Sequence, residues 1–141
     1  MKDAPCACSR FRRATRALTR LYDEALAAAG LRVTQFSVLR ALERAGRPLS
    51  ISDLAATVAL DRSTVGRNLD VLQRLGLIGL APDAEDGRAS VVVLTEAGRA
   101  AIVRALPHWR KVQGEVRRLF GAARMDRLIG QIDDLVRRAS P

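Results

Sequence analysis

Arg62, Ser63, Thr64, Arg67 and Asn68 stand together in one short run, DRSTVGRNLDVLQRLG, residues 61–76. Every one of these side chains can donate a hydrogen bond, which suits phosphate oxygens and the acceptor atoms of base edges. Val65, Leu69, Leu72 and Leu75 fall on a single stripe at helical spacing, so a helix here buries that stripe and turns the donors outward. A helix that only filled a core would not spend its first two turns on such residues. Further on, the segment PDAEDGR separates two β-branched or apolar runs, 77–81 and 90–94. That pattern predicts a hairpin with a long polar tip. Arg88 on the tip can enter a minor groove, and Asp86, two residues earlier, can hold it in position.

Bulk properties point to the same kind of partner. The chain has 141 residues and a mass of 15.3 kDa, which bounds it to one compact domain with any arms it carries. It holds 24 basic residues against 15 acidic ones, a net charge of +9 with an isoelectric point near 11.2. Only Lys2 and Lys111 are lysine, the rest being arginine. This balance implies a polyanion, nucleic acid first among them. No apolar run approaches the roughly 18 to 20 residues that span a membrane, and MKDAPCAC does not read as a signal peptide, so the cytoplasm is expected. Cys6 and Cys8 lie too close together to staple a fold.

The elements that must position the basic run follow from periodicity. Phe11, Ala14, Leu18, Leu21, Ala25 and Ala28 predict a long first helix over about 8–29, ended by Gly30, with Arg10, Arg12, Arg13, Arg16 and Arg20 on its other face. A second helix is predicted from near Thr34 to Ala45 and stops at Gly46. Ser50 and Asp53 have capping-box spacing for a short third helix, and Asp61 is placed to cap the fourth through the amide of Ser63 or Thr64. The outcome is helix, tight turn, helix. Thr95 caps a long helix in which Pro107 is expected to make a kink, and a last helix covers about 124–139.

In this order TQFSVLRALERAG, ISDLAATVALDRSTVGRNLDVLQRLGLI and DGRASVVVLTEAG resemble the MarR-type winged helix-turn-helix regulators, over nearly the whole chain. Asp86 and Arg88 match the family's Asp-x-Arg wing pair; Leu94, Thr95 and Gly98 match its Leu-Thr-x-x-Gly segment. Gly66 departs from the hydroxyl or larger side chain frequent there. The resemblance implies a mainly α fold of about six helices with a small β wing. It further implies a homodimer whose first, fifth and sixth helices interdigitate. Residues 1–30 are then a tail and first dimerisation helix, 31–98 the winged helix-turn-helix domain, and 99–141 the C-terminal dimerisation helices. The terminal helices independently carry more apolar surface than a monomer of this size needs. Such a dimer would read a pseudo-palindrome in double-stranded DNA with half-sites roughly 34 to 36 Å apart.

Enzyme chemistry finds little to work with: one histidine, His108, no glycine-rich phosphate loop and no catalytic carboxylate pair, so neither a cofactor nor a metal is expected. A protein adaptor built on a winged helix is the rival from another class. For control of a repressor, two readings stay open. In the first, a small aromatic or phenolic effector binds among Phe11, Arg16, Tyr22, Phe36, His108 and Trp109, with aromatic walls for the ring and a cation for the acid. In the second, Cys8, with Cys6, senses oxidants. The resemblance extends to the hydroperoxide-sensing branch of the family, whose reactive cysteine begins the first helix. Tyr22 matches a tyrosine that bonds the sulfur in that branch, whereas Arg12 stands where the other such tyrosine would be. A thiolate at a helix N-terminus among arginines is the state oxidation requires.

Overall fold

In the computed structural model, which describes residues 3–141, the apolar spacing of the first thirty residues makes α1 (Ala7–Leu26) and a closing 3₁₀ turn (Ala27–Ala29). Gly30 then takes the left-handed conformation, φ 73°, that lets the chain reverse. α2 (Val33–Ala45) starts where Gln35 Oε1 accepts from the Arg32 amide at 3.0 Å and Asp23 Oδ1 accepts from the Val33 amide at 2.8 Å. The second bond fixes α2 against α1. Gly46 ends it, as expected.

β1 (Leu49–Ser50) leads into α3 (Ile51–Val58), where Ser50 Oγ accepts from the Asp53 amide at 3.0 Å. β1 is an addition to the sequence reading, which gave a turn here and a two-stranded hairpin alone. After Ala59 and Leu60 comes α4 (Arg62–Arg74), then β2 (Ile78–Pro82), β3 (Ser90–Leu94), α5 (Glu96–Phe120) and α6 (Ala122–Ala139). The sheet is antiparallel in the order β1-β3-β2, pairing Leu49 with Val92 and Ile78 with Leu94. α5 runs through Pro107 as one element, the long helix expected to carry the proline. Pro107 and Val103, the residue whose carbonyl loses its donor, both sit on the exposed side, so water can take the donor's place.

One core joins these pieces. Leu26, Val38, Leu39, Leu54, Val65, Leu72, Val92 and Ile102 are all essentially inaccessible, and they come from α1, α2, α3, α4, β3 and α5. α6 contributes none of its residues to it. An ion pair from Arg117 to Asp126, 2.7 Å long, ties α6 back to α5.

Candidate nucleic-acid interface

α4 is held by its apolar stripe. Val65, Leu69 and Leu72 are buried, each contributing roughly 1.5–3 kcal/mol through removal from water. Leu75 is not part of that stripe: it lies just past the helix end and is 55% exposed. The turn into α4 uses Ala59 at φ 55°, a left-handed conformation that is strained for any residue with a Cβ. Together α3, this turn and α4 form the helix-turn-helix.

Arg62, Ser63 and Arg67 are exposed and Thr64 is half-buried. Asp61 caps the helix as expected, accepting from the Thr64 amide at 2.7 Å, and it takes two further bonds that the sequence did not suggest. Ser63 Oγ donates to its Oδ1 at 2.6 Å and Thr64 Oγ1 to its Oδ2 at 2.8 Å. The Ser63 hydroxyl foremost, then the Thr64 amide and hydroxyl, hold this carboxyl far below the usual carboxylate range. The N-terminus of α4 is thus already occupied by a carboxylate. Thr64 Oγ1 also accepts from Arg67 Nη2 at 3.2 Å.

Asn68 is where the structure departs from the expected set. Its Oδ1 accepts from Thr34 Oγ1 at 3.1 Å and its Nδ2 donates to the Thr64 carbonyl at 3.0 Å, so the amide links α4 to α2. Position 68 borders Val65 and Leu72 on the helix surface, and that neighbourhood turns the side chain toward the body. A Cβ at Gly66 would meet open space, so no packing constraint demands glycine there.

Residues 83–89 form the tip between β2 and β3, and Asp86, Gly87 and Arg88 are exposed on it. Asp86 Oδ1 accepts from the Arg88 backbone amide at 3.1 Å. Among the described residues, no carboxylate lies within ion-pair distance of the Arg88 guanidinium. Asp86 therefore orders the turn rather than clamping the side chain as expected. An aspartate two residues before an amide reaches that amide first.

The residues expected to hold an effector are dispersed within one chain. Phe36 and Trp109 do meet, with ring centroids 6.1 Å apart and planes tilted by 32°. They wall a cleft of about 520 Å³ between α2, α3, β1 and α5, together with Arg40, Arg44 and Arg47, which sequence reasoning missed because only the packing of α5 on α2 brings them beside Trp109. Tyr22, whose phenol burial pushes up, donates to Gln113 instead. His108 lines a separate shallow pocket with Leu21 and Glu24. Arg16 and Phe11 are exposed on α1. At the head of α1, Cys6 and Cys8 are exposed free thiols. The Ser9 amide lowers the Cys6 thiol, and Arg12 Nη1 donates to Cys8 Sγ at 3.2 Å.

A helix-turn-helix followed by a two-stranded wing, with arginine exposed on both, defines a protein of the winged-helix class. The chain belongs to the MarR family of transcriptional regulators. The family model matches residues 29–89. The Mycobacterium tuberculosis transcriptional regulator MosR, solved in complex with DNA, is 39% identical over 96% of this chain and 99% of that one, with a TM-score of 0.80. The transcriptional activatory protein BadR of Rhodopseudomonas palustris is 34% identical over 65% of this chain. The HTH-type transcriptional repressor NicR of Pseudomonas putida is 31% identical over 72%. The matched stretch spans 54% and 64% of those two relatives' own lengths. Among the described residues no helix is long and apolar enough to cross a membrane.

Proposed function

We propose that this chain is a sequence-specific regulator of transcription that binds a pseudo-palindromic operator in double-stranded DNA as a homodimer, in the cytoplasm. The observation that carries this reading is the outward face of α4. Arg62, Ser63, Thr64 and Arg67 stand on it while its other face is buried, and the exposed Arg88 lies on the adjoining tip. In this assignment 31–98 reads DNA, while 1–30 and 99–141 pair with a second copy. Exposed Phe11, Leu18, Leu119, Ile129 and Val136 supply the apolar surface for pairing. Likeness to a DNA-bound regulator at 39% identity supports the partner, and NicR supports repression. Arg67→Ala and Arg88→Ala are expected to weaken operator binding while leaving the dimer intact. A variant that loses a phosphate contact also loses about one unit of the salt slope. If the wild-type chain bound a protein partner and no duplex at any salt, the adaptor would replace this reading.

Release by a small aromatic or phenolic acid fits the cleft of Phe36 and Trp109 better than the dispersed set read from the sequence. Two rings can take an aromatic nucleus, and Arg44 and Arg47 have no acidic partner among the described residues, so either can meet a carboxylate or phenolate. Titrating aromatic acids against the operator complex tests it: Arg44→Ala should blunt release without changing operator affinity. A second reading, control by oxidation, is favoured by the exposure of the Cys8 thiol and the Arg12 contact to its Sγ. Release by hydroperoxide that persists unchanged in Cys8→Ser removes it.

A further inference from the structure

The tip of α4 has its protons already allocated. Ser63 and Thr64 hydroxyls own one proton each, and an ionised carboxylate can only accept, so both protons point at Asp61. What the hydroxyls turn elsewhere is lone pairs. Thr64 Oγ1 spends one on Arg67 Nη2, which fixes one edge of that guanidinium and leaves its remaining donors free. Ser63 is exposed, and its oxygen accepts from no partner among the described residues. Phosphate oxygens are acceptors, so a hydroxyl in this state suits them poorly. It suits the exocyclic amino groups of cytosine N4 and adenine N6, which donate in the major groove.

We propose that Asp61 is a positioning residue that sets the hydrogen-bond polarity of this helix tip, making Ser63 an acceptor for a base amino group and, through Thr64, aiming Arg67 at the O6 and N7 edge of a guanine. Ser63 and Arg67 are one helical turn apart on one face, so they address neighbouring base pairs. The inference rests on the DNA-binding reading and deepens it. Arg62, by contrast, is free of this chain of bonds and remains available to phosphate.

Selection from a pool of randomised duplexes with the full-length chain, followed by titration on single-base variants of the winning site, tests it. Asp61→Asn keeps a cap as good as aspartate but replaces one accepting oxygen with a donating amide, which frees a hydroxyl to reverse. The freed hydroxyl is that of Thr64, because the oxygen kept for the cap is the one Ser63 also donates to, so the expected result is a roughly tenfold or greater loss of discrimination at the guanine that Arg67 addresses, with affinity for other duplexes unchanged or raised. Ser63→Ala should erase one preference, Thr64→Val the other, and Arg67→Ala should add little at the guanine once Thr64→Val is present. Ser63→Ala and Thr64→Val, the latter alone and with Arg67→Ala, carry the test should Asp61→Asn fold poorly. If Asp61→Asn selects the wild-type site with its discrimination intact, Asp61 is a cap and nothing more. A Ser63→Ala chain that weakens on all duplexes alike makes Ser63 a phosphate contact and equally overturns the inference. A wild-type chain that selects no sequence overturns the DNA-binding reading along with it.

Discussion

Asp61 accepts from two hydroxyls and an amide at once, and all three bonds favour its ionised form. Its folded pKa lies below the ordinary value of 3.8, so the stability it confers is complete above that pH and is lost as the pH falls beneath it. The gap in unfolding free energy between wild type and Asp61→Ala should therefore be flat at neutral pH and close in acid, as urea titrations at stepped pH would read. A gap that persisted at low pH would mean the carboxylate's charge is irrelevant to the cap. The capping role itself was legible from an aspartate standing before an amphipathic run. The two extra hydroxyl bonds were not, because they depend on the rotamers of Ser63 and Thr64. The bonds of Asn68 were not legible for a related reason. Helical spacing gives its angle, at the margin of the buried stripe, but only the presence of Thr34 on another helix decides which way it turns.

The wing is attached to the helix-turn-helix by a small stitch that the Leu-Thr-x-x-Gly segment encodes. Thr95 Oγ1 donates to the Gly76 carbonyl at 2.7 Å and accepts from the Gly98 amide at 3.0 Å, joining the end of α4 to the start of α5. Gly98 has no room for more: a Cβ there would lie 2.2 Å from the Leu77 carbonyl oxygen and 2.6 Å from Leu94 Cδ1. Gly98→Ala is expected to cost about 1–3 kcal/mol, and more if the Leu77 backbone cannot yield. Chemical denaturation reads the cost directly, and unchanged stability would show that β2 can shift freely. Gly66→Ala, in the open, should instead stabilise by roughly 0.5–1 kcal/mol through helix propensity. Helices and the wing hairpin were legible because each carries a period of its own. β1 was not, since two residues carry no period and the strand exists only by pairing with β3.

For the whole molecule, α6 is the informative piece. It is amphipathic over 18 residues, yet a single chain buries none of them, and Ile129, Leu135 and Val136 are left in water. The proposed pairing accounts for that surface, which is large for a lone domain. Ile129→Asp, which puts a charge in the middle of the apolar face, is expected to shift the chain from dimer to monomer in sedimentation velocity. A wild-type chain that sediments as a monomer would end the pairing model. The terminal arms were legible as surplus apolar stripes, but the cleft lined by Phe36, Trp109 and the arginines was not, because α2, α3 and α5 bring it together from distant parts of the chain. If a second copy is what α6 rests on, folding and association are one reaction, and mass action enters its thermal behaviour. The midpoint of melting should then climb with the amount of protein in the cell or the cuvette, so that a scarcely expressed regulator is also a softer one.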